Sequence, residues 1–191
     1  QNYEFNSQTN STVGQLNTAF GTMFNEFRMS YQRIRDFRAT DTQFPQVTIR
    51  LAGGGNIRFG TEQFSAANEL DQDIIELHND LTMVRGRHTF TFGTHNEFFK
   101  FRNLFIRDNF GTYEFASVAQ FEAGFAQAYD YSFSATADPR NAARFWVYQL
   151  GFYAGDQWRL APNFTLTYGL RLDFPIFPDK PTPNPAVVAN Y

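Results

Sequence analysis

The 191-residue chain contains no cysteine, which excludes a disulfide scaffold, thiol catalysis and Cys-based zinc sites. It is poor in lysine: 14 of its 16 basic residues are arginine, and Lys100 and Lys180 complete the set. These bases are scattered and face 19 acidic residues, so a formal charge of −3 gives no footing for a nucleic-acid partner. No apolar run approaches the ~18 residues of a spanning helix. What the chain does have is rings. Aromatics make up 18% of it, 24 of them Phe, yet the mean hydropathy is −0.43. Many large rings in a chain that is polar on average require a pattern that separates the two.

That pattern is alternation. Phe164, Leu166, Tyr168, Leu170 and Leu172 alternate with Thr165, Thr167, Gly169, Arg171 and Asp173. Upstream, Trp146, Tyr148, Leu150, Phe152, Ala154 and Trp158 alternate with Val147, Gln149, Gly151, Tyr153, Gly155 and Gln157. Successive side chains of a strand point to opposite faces, so each run has one apolar face. Residues 159–163 read as a short loop, which makes a hairpin with Trp158 opposite Phe164. Asp156 falls on the apolar face near this turn and reads as the point where that face meets water.

In a second hairpin, Ile75, Leu77, Leu81 and Met83 share one face of 73–84, and Phe90, Phe92 and Phe98 share one face of 89–100. Gly86-Arg87 suits a two-residue type II′ turn, which needs a positive φ at its first position. That turn pairs Met83 with Phe90, Leu81 with Phe92, and Ile75 with Phe98. A third hairpin sets Leu16, Thr18 and Phe20 against Phe27, Met29 and Tyr31 across a turn near Gly21.

The connections are asymmetric: short turns at 21–24, 85–88 and 159–163, but long segments at 36–72 and 101–142. Within the long segments, 47–51 and 57–59 read as hairpin pieces. Residues 117–128 read as a short helix with Ser117 and Gln120 at capping-box spacing and Val118, Phe121 and Phe125 on one face. Tyr129, Tyr131 and Phe133 read as a further strand. Short turns on one side and long loops on the other is the signature of an outer-membrane barrel. The expected fold is therefore all-β: an antiparallel, up-and-down portion of a transmembrane β-barrel. It has about six spanning strands, near 12–35, 73–100 and 143–174, and extracellular loops at 36–72, 101–142 and 175–191.

Leu81, Met83, Phe90, Phe92, Leu150, Phe152, Leu166 and Leu170 are then expected to face lipid. Tyr31, Trp146, Trp158 and Tyr168 are expected at the membrane interfaces, where barrels place their aromatic girdles. A soluble β-sandwich also alternates, but strand length, loop asymmetry and rings at both ends of the apolar band weigh against it. Single-chain bacterial barrels begin at about eight strands, and Gln1 and the proline-rich 174–185 read as cut ends. The chain is accordingly expected to be an internal fragment of a barrel domain.

Residues 151–173 resemble a stretch of the Oar-like TonB-dependent receptors. Tyr153, Asp156, Trp158, Pro162 to Leu166, Tyr168 to Arg171 and Asp173 carry the resemblance. Val84-Arg-Gly-Arg-His-Thr-Phe-Thr-Phe-Gly93 and Gly111-Thr-Tyr-Glu-Phe115 are similar to other parts of that family. The resemblance implies a receptor of about 22 strands with a plugged lumen, which binds an extracellular ligand at its loops and imports it with energy from TonB. The plug, the regulatory-like domain and the TonB contact of such a receptor would lie outside residues 1–191. A passive outer-membrane barrel with a structural or adhesive role is the alternative.

No residue set supports an enzyme, and no cofactor is expected. Gly53-Gly54-Gly55 lacks the Gly-Lys-Ser/Thr of a phosphate cradle and reads as a loop tip. Asp71 and Asp73 lack the ligand loop of a calcium site. Arg33, Arg35 and Arg38 read as outer-rim residues open to lipopolysaccharide or ligand, and Arg28 as lumen-facing. The hairpin register opposes His78 to His95 and Glu76 to Glu97 on the polar face. Two imidazoles and two carboxylates can hold a divalent metal, though a hydrated lumen also tolerates such pairs without one.

Overall fold

The computed structural model describes residues 3–180, of which 67% are β-strand and almost none helix. In chain order the elements are β1 (Tyr3–Phe20), β2 (Met23–Thr40), β3 (Gln46–Arg50), β4 (Asn56–Phe59), β5 (Asn68–Arg85), β6 (His88–Phe105), β7 (Thr112–Phe115), α1 (Val118–Glu122), β8 (Ala128–Asp130), β9 (Ala143–Ala161) and β10 (Phe164–Ile176). The six long strands form one sheet in the order β1-β2-β5-β6-β9-β10. Each strand pairs with the next long strand in the chain, as in an up-and-down meander. Among the described residues the sheet does not close on itself, and β1 and β10 are its edges.

The strands outrun the alternating segments that reveal them. β1 begins at Tyr3 instead of near 12, β2 runs to Thr40, and β5 and β6 reach Asn68 and Phe105. Outside the apolar band a strand accepts polar side chains on both faces, so the pattern fades while backbone pairing continues. Ser7, for example, donates to Asp36 Oδ1 at 2.6 Å well beyond the last apolar pair of its hairpin. β10 likewise extends into the stretch expected as loop, with Pro175 opposite Gln149. Proline lacks an N–H for the ladder and is tolerated at a sheet edge, the position β10 has among the described residues. The rest of the expected final loop, 181–191, lies outside the described residues.

The turns follow the glycines. Gly86 has φ +63°, and Asp108 is the sole non-glycine with positive φ among the described residues, so Arg87 stays on the ordinary side. One positive φ at the first central position is what a type II′ turn needs. The first turn is tighter than expected, Gly21-Thr22 rather than 21–24, with Gly21 at φ +60°. The third shrinks to Pro162-Asn163, and a register shift between Phe164 and Thr165 places Leu166, not Phe164, opposite Trp158. The slip is two residues, an even number, so every side chain keeps its face.

By internal packing the described chain divides into two units, one built from residues up to 9, 33–72 and 101–144, the other from 10–32, 73–100 and 145 onward. Within the first, the expected loops are folded. β4, β3, β7 and β8 form a second sheet in that order. β3 and β4 are an antiparallel hairpin with Val47 opposite Phe59 and Ile49 opposite Ile57, and the triglycine segment lies in its connection. β3 also pairs in parallel with β7, Gln46 opposite Thr112 and Ile49 opposite Phe115. Buried Val47, Ile49 and Phe115, with Tyr113 against them, form its core. In α1, Ser117 Oγ accepts from Gln120 N at 3.2 Å, and Gln120 Oε1 accepts from Ala116 N at 3.1 Å, which satisfies donors a helix start leaves free. The helix is shorter than expected: Phe125 lies outside it, 73% exposed. Of the three expected strand residues, Tyr129 alone falls in β8.

Candidate functional site

The polar face of β5, β6 and β9 carries the titratable cluster. The His78 and His95 rings lie 5.5 Å apart, as their opposed positions imply. They have different partners. His78 Nε2 is 2.8 Å from Tyr153 Oη and 3.0 Å from Asp80 Oδ2, and the Tyr153 hydroxyl donates to Asp80. The Tyr153 ring lies directly over Gly93, where any Cβ would overlap it. An aromatic ring covering a cross-strand glycine gives a bare stretch of backbone the packing it lacks. His95 Nε2 is 3.3 Å from Glu76 Oε1 but not aligned to form a hydrogen bond, so it has no hydrogen-bond partner. Glu76, His95 and Glu97 each bring one ligand atom within 4.8 Å of the others. His78 is therefore not part of the donor group that the four-residue expectation included.

The other face carries the apolar band. Phe92, Phe152, Leu166 and Leu170 are exposed, Leu170 at 83%. Leu81, Met83, Phe90 and Leu150 are half-buried, so among the described residues no second layer covers the eight. Several polar groups on this face pair with one another. Asn25 Nδ2 donates to Asn79 Oδ1 at 3.1 Å and to the Asp80 carbonyl at 3.0 Å. Asp156 does not open to water as expected: it is 5% exposed, 2.6 Å from His88 Nδ1, and accepts from the Tyr168 hydroxyl at 2.9 Å. Parity would have revealed this group, because His88, Asp156 and Tyr168 all occupy apolar-face positions of their strands. His88 also stacks on Phe90 and Trp158, with centroids at 5.4 and 5.2 Å.

At the other end of the band, the Tyr31 hydroxyl donates to Asp73 Oδ1 at 3.1 Å. Lys100 Nζ sits 5.4 Å from the Trp146 ring centroid, and Phe98 packs on Tyr148 at 5.5 Å. Aromatic residues with a polar tip at one end and a ring in the band thus occur at both ends, as bilayer interfaces favour. Residues 1–185 match the model of the family described as Outer membrane beta barrel domain. The chain belongs to the outer membrane beta barrel domain family. No curated protein and no solved structure matches it. Its location is accordingly the outer membrane, and the lipid there is its environment.

In the loop unit of this outer-membrane barrel domain, arginines are tied into the fold. Arg102 Nη1 is 2.7 Å from Glu69 Oε2 and 3.4 Å from Asp71 Oδ2, and Arg140 Nη2 is 2.6 Å from Glu69 Oε1. Arg35 donates to the Ile34 and Gln72 carbonyls at 2.7 and 2.9 Å. Arg38 lies 3.9 Å from Glu62 and over the Tyr3 ring at 4.8 Å. Arg35 and Arg38 are thus engaged internally, a correction to the expectation of open rim cations. Arg28, on the polar face, pairs with Glu26 at 2.7 Å.

Partial burial works against ionising Glu69, but hydrogen bonds from Arg102 and Arg140 outweigh it and hold the carboxyl below its usual range. A carboxyl depressed in the folded state stabilises fully above its unfolded pKa and ceases to do so as pH falls through its folded one. The loop unit is therefore expected to keep this contribution at neutral pH and to begin losing it only as pH falls below the ordinary glutamate range. Limited proteolysis of segments 60–72 and 134–142 against pH reads it out, and a Glu69→Gln variant should show cleavage already at neutral pH.

Proposed function

We propose that this chain is the loop-bearing part of the barrel of a TonB-dependent receptor of the Oar-like kind, which binds a ligand outside the cell and imports it. The resemblance across 151–173 supports this reading. The observation that carries it is the folded loop unit. Two long inter-strand segments join through parallel β3–β7 pairing into a sheet with its own core of Val47, Ile49 and Phe115. A passive barrel has no need to hold its loops in one shape, whereas ligand binding rewards a preorganised surface.

In this reading the apolar face meets hydrocarbon and the polar face lines a hydrated lumen. Leu81, Met83, Phe90, Phe92, Leu150, Phe152, Leu166 and Leu170 form the lipid-facing band. Tyr31 and Trp146 mark one interface, Trp158 and Tyr168 the other. Trp146 and Trp158 are twelve residues apart on β9. At ~3.3 Å rise and ~40° tilt that separation spans ~30 Å across the bilayer, a match to the hydrocarbon thickness.

The test uses the full-length protein in detergent and the periplasmic domain of TonB. Co-purification of the two is the expected result. A folded full-length protein that fails to retain TonB would instead mark a passive structural or adhesive barrel.

A further inference from the structure

We propose that Glu76, His95 and Glu97 form a binding site for one divalent first-row transition-metal ion of the zinc class on the polar face of the sheet. Three independent features lead there. First, the hairpin register sets Glu76 directly opposite Glu97, and like charges across a strand pair destabilise a sheet. Such a pair calls for a compensating cation. Second, the Arg171 guanidinium acts on Glu97 only through space, because its hydrogen bonds from Nε and Nη2 go to Asp173 at 2.8–3.0 Å. Ser30 adds to Glu76 only a 3.4 Å contact from its hydroxyl. Third, His95 Nε2 is shielded from solvent and has no hydrogen-bond partner, although it lies 3.3 Å from a Glu76 carboxylate oxygen.

The donor set fits the ion. The imidazole selects zinc and its neighbours over calcium or magnesium, and the two carboxylates can ligate zinc beside it. Three protein ligands leave a fourth position for water. Tetrahedral bonds of ~2.1 Å place donors ~3.4 Å apart, and the present spacing of up to 4.8 Å closes by rotation of the two glutamates. Neighbouring Asp80 is occupied by Tyr153 and His78, so the cluster does not extend in that direction. The site does not depend on TonB coupling and stands whichever kind of barrel this is.

The experiment is a zinc titration of the chelator-treated full-length protein in detergent, followed by calorimetry. One zinc per chain is expected. His95→Gln and Glu97→Gln should each weaken binding by about tenfold or more, since even loss of a group that only supports a ligand costs that much. His88→Gln, altered on the opposite face, should bind as the unaltered protein does. Heat-modified gel mobility verifies that each variant is folded, and Glu97→Gln carries the test if His95→Gln does not fold. Folded protein that binds no zinc, or that binds it equally with His95 or Glu97 replaced, overturns the site.

Discussion

Arginine in place of Leu170 is expected to prevent stable assembly in the outer membrane. Leu170 is six residues from each end of β10 and is the most exposed of the band residues, at 83%. A charge at that depth on a lipid-facing strand position costs about 2–4 kcal/mol, a factor of about 30 to 1,000 in the folding equilibrium. The matching substitution on the other face, Thr167→Arg, should cost little, because Thr167 occupies the polar face opposite Gln157. Urea unfolding of the full-length protein in lipid vesicles measures both, and its abundance in the outer membrane gives a cellular reading. Equal tolerance of the two changes would mean that the apolar band meets protein or water instead of lipid.

Valine at position 93 should be nearly as damaging, for a different reason. A Cβ there overlaps the Tyr153 ring and Asp80 Oδ1. Tyr153 must swing away, and its hydroxyl then abandons both Asp80 and His78. Overpacking costs about 1–3 kcal/mol and each of the two lost hydrogen bonds about another 1. Tyr153→Phe keeps the ring and loses the hydroxyl, so it should cost about 2 kcal/mol. The cycle with Tyr153→Ala is the sharper test. Once the ring is gone, Gly93→Val should cost far less than it does alone, and the two effects should fall short of additivity. Additive effects in urea unfolding would deny the ring-over-glycine contact.

These predictions use side-chain directions that are legible in the sequence. Period-two alternation assigns a face to Leu170, Thr167, Phe92 and His95 because parity survives errors in register. The pairing of Trp158 shows the same thing: the observed partner, Leu166, is two residues away from the expected one, and neither residue changes face. The Ser117–Gln120 cap is legible too, being wholly local.

Contacts between segments distant in the chain are not legible. β6 and β9 are joined by a long connection, so nothing local sets their register, and the sequence gives no sign of Tyr153 over Gly93. The β3–β7 pairing is hidden for the same reason, and nothing local marks the two segments as partners. The His88–Asp156–Tyr168 group is different, since parity alone places all three on one face. A lone acid near a turn nonetheless resembles a solvated one until its partner strand is known.

The parallel pairing of Gln46 with Thr112 also sets an order of events. Both β5 and β6 lie between these partners in the chain, so the small sheet can pair only once that hairpin has brought its two ends together. Long-range pairing is slow to form. Maturation should thus end with closure of the small sheet, and pulsed hydrogen exchange should protect β3 and β7 only after β5 and β6 have paired.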